Sequence, residues 1–364
     1  MLTARDYFYK FVAPEQLNKS YQAAFQERDL SQLPNGLPNG VPSFSTQEDA
    51  FKKAVNHAPN RSNDILIEHY IENLIKLAPA KLKSRLEGMF VAKVKDLIAN
   101  AAAQHSRGNY DGDLIFFNVG LSDACYQYAI LYYEFIRLVD EGKRLGDRHP
   151  EIVQLTKSVT EHTIKIAIAQ RRWNREGLVQ FTWDDVVYSR PDMEGYAITI
   201  ATYSDKFILY HEIAHHILGH TKLGNSPFTF LENLPDICKY WRNTMSKKHM
   251  QEYEADAAAL LMTLQTRSSN LQEERDKELS IAVGGLLTLT IIGQFARHVD
   301  KASIDHPSVS SRFDQCVAIL KESCTYETSI GEIIDDIKRF QILLRKSQGW
   351  GLGCRWDMAE FTHN

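Results

Sequence analysis

Residues 205–220 read Asp-Lys-Phe-Ile-Leu-Tyr-His-Glu-Ile-Ala-His-His-Ile-Leu-Gly-His, and no other stretch restricts the fold as strongly. Within it His211, Glu212 and His215 spell H-E-x-x-H. Residues four apart share a helix face, so both imidazoles can reach a single ion. The glutamate beside the first histidine can then hold and deprotonate a water that the metal activates. Phe207, Ile208, Ile213, Ala214, Ile217 and Leu218 surround the motif; packed into a core, such a helix keeps ligands from wandering. The pattern also arises by chance, but four histidines in ten residues exceed what packing requires.

His216 and His220 are not expected to bind the same ion. The first lies roughly 140° around the helix from His211, and the second roughly on the opposite face. The run also misses the metzincin spacing by one residue. A third ligand must therefore come from elsewhere, and Gly219 marks the end of the helix.

That ligand is sought in Lys248-His-Met-Gln-Glu-Tyr-Glu-Ala-Asp-Ala-Ala-Ala-Leu-Leu-Met262, a second helical pattern. Glu252 and Asp256 share a face, whereas Glu254 points roughly 200° away from Glu252. Glu252 can complete the shell, and Asp256 can accept the free ring N–H of a ligating histidine. The alternative is a pair of surface acids, but these would repel each other across one turn. Lys247, Lys248 and His249, at the helix start, stand where positive charge is unfavourable. Alanines at 255 and 257–259 let the two helices approach closely. Two imidazoles, one carboxylate and a vacant position form a catalytic rather than a structural zinc shell, and this donor set suits Zn²⁺ better than Mg²⁺ or Ca²⁺.

A chain of 364 residues can bury a large core, as one large domain or two intimate ones. Its 44% hydrophobic and 24% charged content is that of a soluble globular protein. A formal net charge of −4 carries no nucleic-acid signature. Cys125, Cys238, Cys316, Cys324 and Cys354 are scattered with no C-x-x-C pair, which favours reduced thiols and a cytoplasmic setting. The first ten residues hold no long apolar run or cleavage site, so no signal peptide is expected. Leu279–Ala296 carries no charge, but Ser, Thr, Gly and Gln dilute it at the short limit for a span. A buried core helix is favoured over a membrane helix.

In chain order, residues 1–30 read as an amphipathic helix with Tyr7, Phe8, Phe11 and Val12 on one side. The duplicated Leu-Pro-Asn-Gly unit in 33–42 is a loop, and Ser45 opens a capping box. Helical patterns follow near 62–77 and 79–104, the latter with Leu82, Leu86, Phe90, Val94 and Leu97 in step. Leu114–Phe117 reads as a buried strand. Helices are expected over 122–140, with Tyr126, Tyr128, Tyr132, Tyr133 and Phe135 as core, and over 150–172. Strands are expected at 178–190 and 195–204, the latter alternating and running straight into the metal helix. As a sheet edge it could pair with an extended peptide beside the metal; an interior strand fits the pattern equally well.

H-E-x-x-H followed by Glu252-Tyr-Glu-Ala-Asp256 resembles the gluzincin family that includes HtpX and the CAAX prenyl proteases. His306-Pro-Ser-Val-Ser-Ser-Arg312 resembles the family's H-P-x-x-x-x-R segment. The resemblance spans roughly residues 196–320. It implies His211, His215 and Glu252 as zinc ligands, Glu212 as general base and Asp256 as the group that orients a ligand. It also implies that His306 lies near the site and helps to stabilise an oxyanion, although a structural residue before Pro307 fits as well. Those membrane enzymes carry several transmembrane helices. Here a span at 279–296 would put Glu252 and His306 on opposite sides of a bilayer. The chain therefore looks more like soluble bacterial relatives, including Lit-type peptidases that cleave an intracellular protein.

The expectation is an α+β, mostly helical chain, with a zincin-like core and a small sheet beside the H-E-x-x-H helix. A helical region of unknown role would occupy 1–150 and the metallopeptidase region 151–364. The expected activity is zinc-dependent endopeptidase action on an intracellular protein through metal-activated water. Protein or peptide is the partner, with no nucleic acid and no membrane. Two alternatives stand: a metal-stapled sensor without proteolysis, and a protease silent until a partner engages residues 1–150.

Overall fold

The computed structural model describes residues 2–16, 56, 58–95, 100–105, 109–176, 191–221, 246–264, 271–295, 302 and 306–347. The protein is mostly helical α+β with a small three-stranded sheet. It divides into two compact units: Met1–Lys93, Ala102–Phe117 and Thr221–Gly224 in the first, and Val94–Ala101, Asn118–His220 and Asn225–Asn364 in the second.

In the first unit β1 (Leu2–Thr3) leads into α1 (Ala4–Tyr7), one π-helical turn (Phe8–Val12) and a 3₁₀ turn (Pro14–Gln16). The wider π turn takes Phe8 and Phe11 off a common face: Phe8 is buried and Phe11 exposed, contrary to the amphipathic helix expected. Then come α2 (Ile65–Leu77), capped by the Asp64 carboxylate, and α3 (Ala80–Glu87). The helix expected over 79–104 stops at Gly88, and Met89–Val94 forms β2 instead. Phe90, Val91 and Ala92 are all buried and Val94 is half-buried, so part of what matched a helical period is a strand covered on both faces at its start, which periodicity alone cannot distinguish. The strands β3 (Ala101–His105), β4 (Tyr110–Asp111) and β5 (Asp113–Asn118) follow; β1 pairs with β4 in parallel, and the larger sheet runs β2-β5-β3. Leu114, within the expected strand, joins Phe8, Tyr9 and Phe90 in a core cluster. Gly112 has φ +113°, and a Cβ there would stand 2.5 Å from the Gly88 carbonyl oxygen, so only glycine fits.

The second unit contains α4 (Val119–Leu145), α5 (Pro150–Glu176), α6 (Pro191–Ile217), α7 (Lys247–Leu264), α8 (Leu271–Phe295), α9 (Val309–Ser323) and α10 (Glu327–Ser347). Helix α6 is its hub and packs against α4, α7 and α8. The aromatic residues Tyr128, Tyr132 and Phe135 of α4 are buried, the last two against Phe340.

The strand expected at 195–204 is the first half of α6. Ala197, Ile200, Ala201, Ser204, Phe207 and Ile208 are buried, whereas Tyr196 and Ile198 stay 42% and 47% exposed. A strand would put residues 196, 198 and 200 on one face. Burial at intervals of three and four instead continues into His211, and this tertiary stripe overrides the β-branched local preference. No strand edge exists at those residues to receive a peptide. The loop at 33–42, the Ser45 cap and the strand at 178–190 lie outside the described residues.

Helix α8 is long and apolar enough, by length and composition, to cross a membrane, and 78% of its apolar window is buried within the protein. Its Thr288 and Thr290 hydroxyls donate to the Gly284 and Leu286 carbonyls, which removes the cost of burying them. At Gly284 it meets α6, where a Cβ would stand 2.6 Å from Tyr203 Cβ and 2.8 Å from the Tyr203 carbonyl carbon. The Ser204 hydroxyl donates to the Gly284 carbonyl across this crossing at 3.1 Å.

Gly284→Ala is therefore expected to destabilise the protein by about 1–3 kcal/mol through overpacking. Gly331→Ala, with nothing within 4 Å of its Cβ, should raise stability by about 0.5–1 kcal/mol through helix propensity. Urea unfolding of the two variants checks both signs.

Candidate metal centre

His211 and His215 rise from the last turns of α6, and Glu252 faces them from α7. Ala255, Ala257, Ala258 and Ala259 of α7 are fully buried, and α7 packs against α6. His215 Nε2 is 3.1 Å from His211 Nε2 and 3.5 Å from Glu252 Oε1, and His211 Nε2 is 3.7 Å from Glu252 Oε2. Ligands about 2.1 Å from a tetrahedral ion stand ~3.4 Å apart. Each imidazole thus stands near that spacing from one oxygen of the Glu252 carboxylate, and one donor atom from each of the three residues lies within 4.8 Å of the others. Among the described residues, these three form the group able to hold a metal.

The other ring nitrogens are engaged too. His211 Nδ1 lies 2.9 Å from Asp256 Oδ1, although the ring N–H is not fully aligned with that oxygen. Asp256 is fully buried and receives Arg312 Nε and Nη2, each at 2.7 Å, while Arg312 Nη1 reaches Glu252 Oε2 at 3.1 Å. Arg312 sits in the first turn of α9, whose N-terminus Ser308 caps by accepting the Ser311 N–H. One guanidinium thus clamps both acids of α7, a bidentate role that lysine cannot reproduce.

On the other side His215 Nδ1 stands 2.9 Å from His220 Nδ1, and His220 Nε2 stands 3.1 Å from Glu254 Oε2. His220 arrives there through a Schellman turn. The Gly219 N–H donates to the His216 carbonyl at 3.0 Å, the His220 N–H donates to the His215 carbonyl at 2.8 Å, and Gly219 has φ +76°.

The structure thus brings His211, His215, Glu252 and Asp256 together. It keeps Glu212 half-buried on α6 beside the histidines, and it places His306, 64% exposed, with Nδ1 3.4 Å from Glu252 Oε1. His216 is buried and outside the cluster. Three participants received no role from sequence. Arg312 lay within a quoted motif; the missing signal was that two acids on one buried face require a cation. His220 was put on the far face by continuing α6 past Gly219, where the Schellman geometry folds it back. Glu254 does point away from Glu252, and that direction reaches His220.

Burial disfavours charge on Glu252, but His306, His211, Arg312 and His215 outweigh it and hold its carboxyl well below the ordinary range. For Asp256 burial is likewise overcome, first by Arg312 and then by His211, and its pKa is lowered. Burial also opposes charge on His211, yet Asp256 and Glu252 raise its pKa. Burial, reinforced by His211, pushes His215 well below the usual value.

These shifts define how the metal-free protein should respond to acid. The depressed carboxylates contribute stability that is complete above their ordinary values of 4.5 and 3.8 and is lost as pH falls below them. Raised His211 contributes below 6.5 and loses that contribution as pH rises, and lowered His215 does the reverse. Chelator-treated protein should therefore change little around neutrality and lose stability in the carboxylate range, as read by thermal unfolding against pH. Arg312→Leu, which strips both buried carboxylates of their cation, should cost roughly 3–5 kcal/mol in urea unfolding.

Two imidazoles and a carboxylate converge here, with the outer ring nitrogens facing Asp256 and His220, in an arrangement able to hold a metal ion. The Peptidase U49 family model matches residues 124–325, and the chain belongs to that family, the Lit peptidases. Every residue of the site lies inside the matched segment. The chain is thus a peptidase acting on protein or peptide substrates. No curated protein and no solved structure matches it.

Proposed function

We propose that this peptidase is a zinc-dependent endopeptidase of gluzincin type that cleaves an intracellular protein in the cytoplasm. The observation that carries the reading is the mutual spacing of His211 Nε2, His215 Nε2 and the Glu252 carboxylate, 3.1–3.7 Å, with the rear nitrogens of both rings occupied. Imidazole and carboxylate together favour Zn²⁺, and three protein ligands leave the vacancy that a catalytic site requires.

Bound in this shell, the ion would polarise the scissile carbonyl and make a water more acidic. The protein's own groups do the rest. Glu212 takes the proton of the attacking water and returns it to the leaving amine, which a carboxylate within reach of solvent can do. Arg312 keeps Glu252 and Asp256 ionised, so Glu252 stays a donor and Asp256 can hold the His211 ring. His306, largely exposed next to Glu252, stands at the rim, where the oxyanion would develop.

The purified wild type is expected to cleave proteins in a cell lysate, read by mapping new protein N-termini. A chelator should abolish that cleavage and zinc restore it. Glu212→Gln should keep its zinc yet lose cleavage by roughly 10²–10⁴-fold, the contribution of a general base. Equal proteolysis by the two proteins would rule out this mechanism.

A further inference from the structure

We propose that His220 and Glu254 form a positioning relay that holds His215 by its rear nitrogen, so that the H-E-x-x-H helix and the turn after it act as one metal-gripping unit. The inference rests on the metal reading above. Its physical basis is the hydrogen inventory of three groups in a row. A histidine that coordinates through Nε2 carries its remaining proton on Nδ1. His215 Nδ1–H then donates to His220 Nδ1 across 2.9 Å. His220 thereby becomes the Nε2–H tautomer, and that N–H donates to Glu254 Oε2 across 3.1 Å. Each proton has one donor and one acceptor along the row, and the row ends on a carboxylate. The same tautomer of His215 is the one that leaves Nε2 bare toward His211 and Glu252.

The backbone makes the relay specific. His220 occupies its place because Gly219 adopts φ +76° and the Schellman bonds bring residue 220 back onto residue 215. That position is ordinarily filled by an apolar contact, and here two imidazoles fill it with rings 5.1 Å apart, centroid to centroid. Glu254 is supplied by α7, the helix that also supplies Glu252 and Asp256. His215 and His211 are thus each tied back to α7, one through His220 and the other directly through Asp256. The two ties differ in kind. The Asp256 arm ends on Arg312 and is buried throughout, whereas the His220 arm passes through an imidazole and lets His215 coordinate without a second buried carboxylate next to it. His220 and Glu254 touch no substrate in this scheme and act through His215 alone.

Metal affinity tests the relay without any substrate. The zinc dissociation constant of the full chain is measured by chelator competition, with unfolding of each metal-free variant as the control for fold. His220→Leu is expected to weaken zinc binding by about 10–100-fold, the usual effect of removing a partner that orients a ligand. His220→Asn, whose side-chain oxygen falls near the Nδ1 position, should bind within a few-fold of wild type. His220→Gln, equally polar but with its oxygen one carbon further out, should bind like His220→Leu. Glu254→Ala should weaken binding in the wild type and add nothing in His220→Leu, since the two residues form one chain. The visible spectrum of the Co²⁺-loaded protein should shift in His220→Gln and not in His220→Asn. Should His220→Leu fail to fold, the Asn and Gln pair carries the comparison. Wild-type affinity in both His220→Leu and His220→Gln, or simple addition in the double variant, overturns the relay and leaves the metal reading intact. A wild type that binds no zinc overturns both.

Discussion

One buried guanidinium makes the centre feasible. Two carboxylates one turn apart on α7 are almost wholly removed from water, and without a counter-charge such a pair would protonate or unfold. Arg312 answers both at 2.7–3.1 Å. Because it is equally buried, it has no better partner than the two acids. The cost of desolvating three charges is offset only because geometry satisfies nearly every donor and acceptor. The cluster therefore stands or falls as a whole.

Around that cluster the packing is arranged to hold helices, not to fill space. Small residues are used at these contacts: buried alanines on α7, and Gly284 of α8 where it crosses α6 at Tyr203 and Ser204. Helix α6 is held along its length by an apolar stripe from Ala197 to Ile217. His211 and His215 then occupy its last turns, where the next few residues can fold back. A rigid hub thus ends in a short, chemically rich corner, as a precisely held site requires.

Much of this was legible in the amino-acid order. The spacing of His211 and His215 is a matter of helical geometry, and so is the shared face of Glu252 and Asp256. The long helices at 119–145, 150–176 and 247–264 announced themselves by period and length. The failures were local. Tyr196–Tyr203 alternates like a strand, yet it is helical because its burial follows a tertiary contact with α8. Phe90 and Val94 kept helical step with Leu82 and Leu86, yet Gly88 ends that helix and the pair belongs to a strand.

Sequence by itself determined which side chains could serve one ion, because positions on a helix are set by rotation per residue and need no knowledge of neighbours. It could not determine what stands behind them. Arg312 comes from a helix beginning 53 residues beyond Asp256, and only packing decides that its guanidinium meets two acids. His220 lies past a glycine in left-handed conformation, where helical rotation ceases to apply and the turn decides direction. The candidate ligands are a property of local periodicity; their support is a property of the folded chain, since burial, charge balance and return of the backbone exist only once α6, α7 and α9 have met.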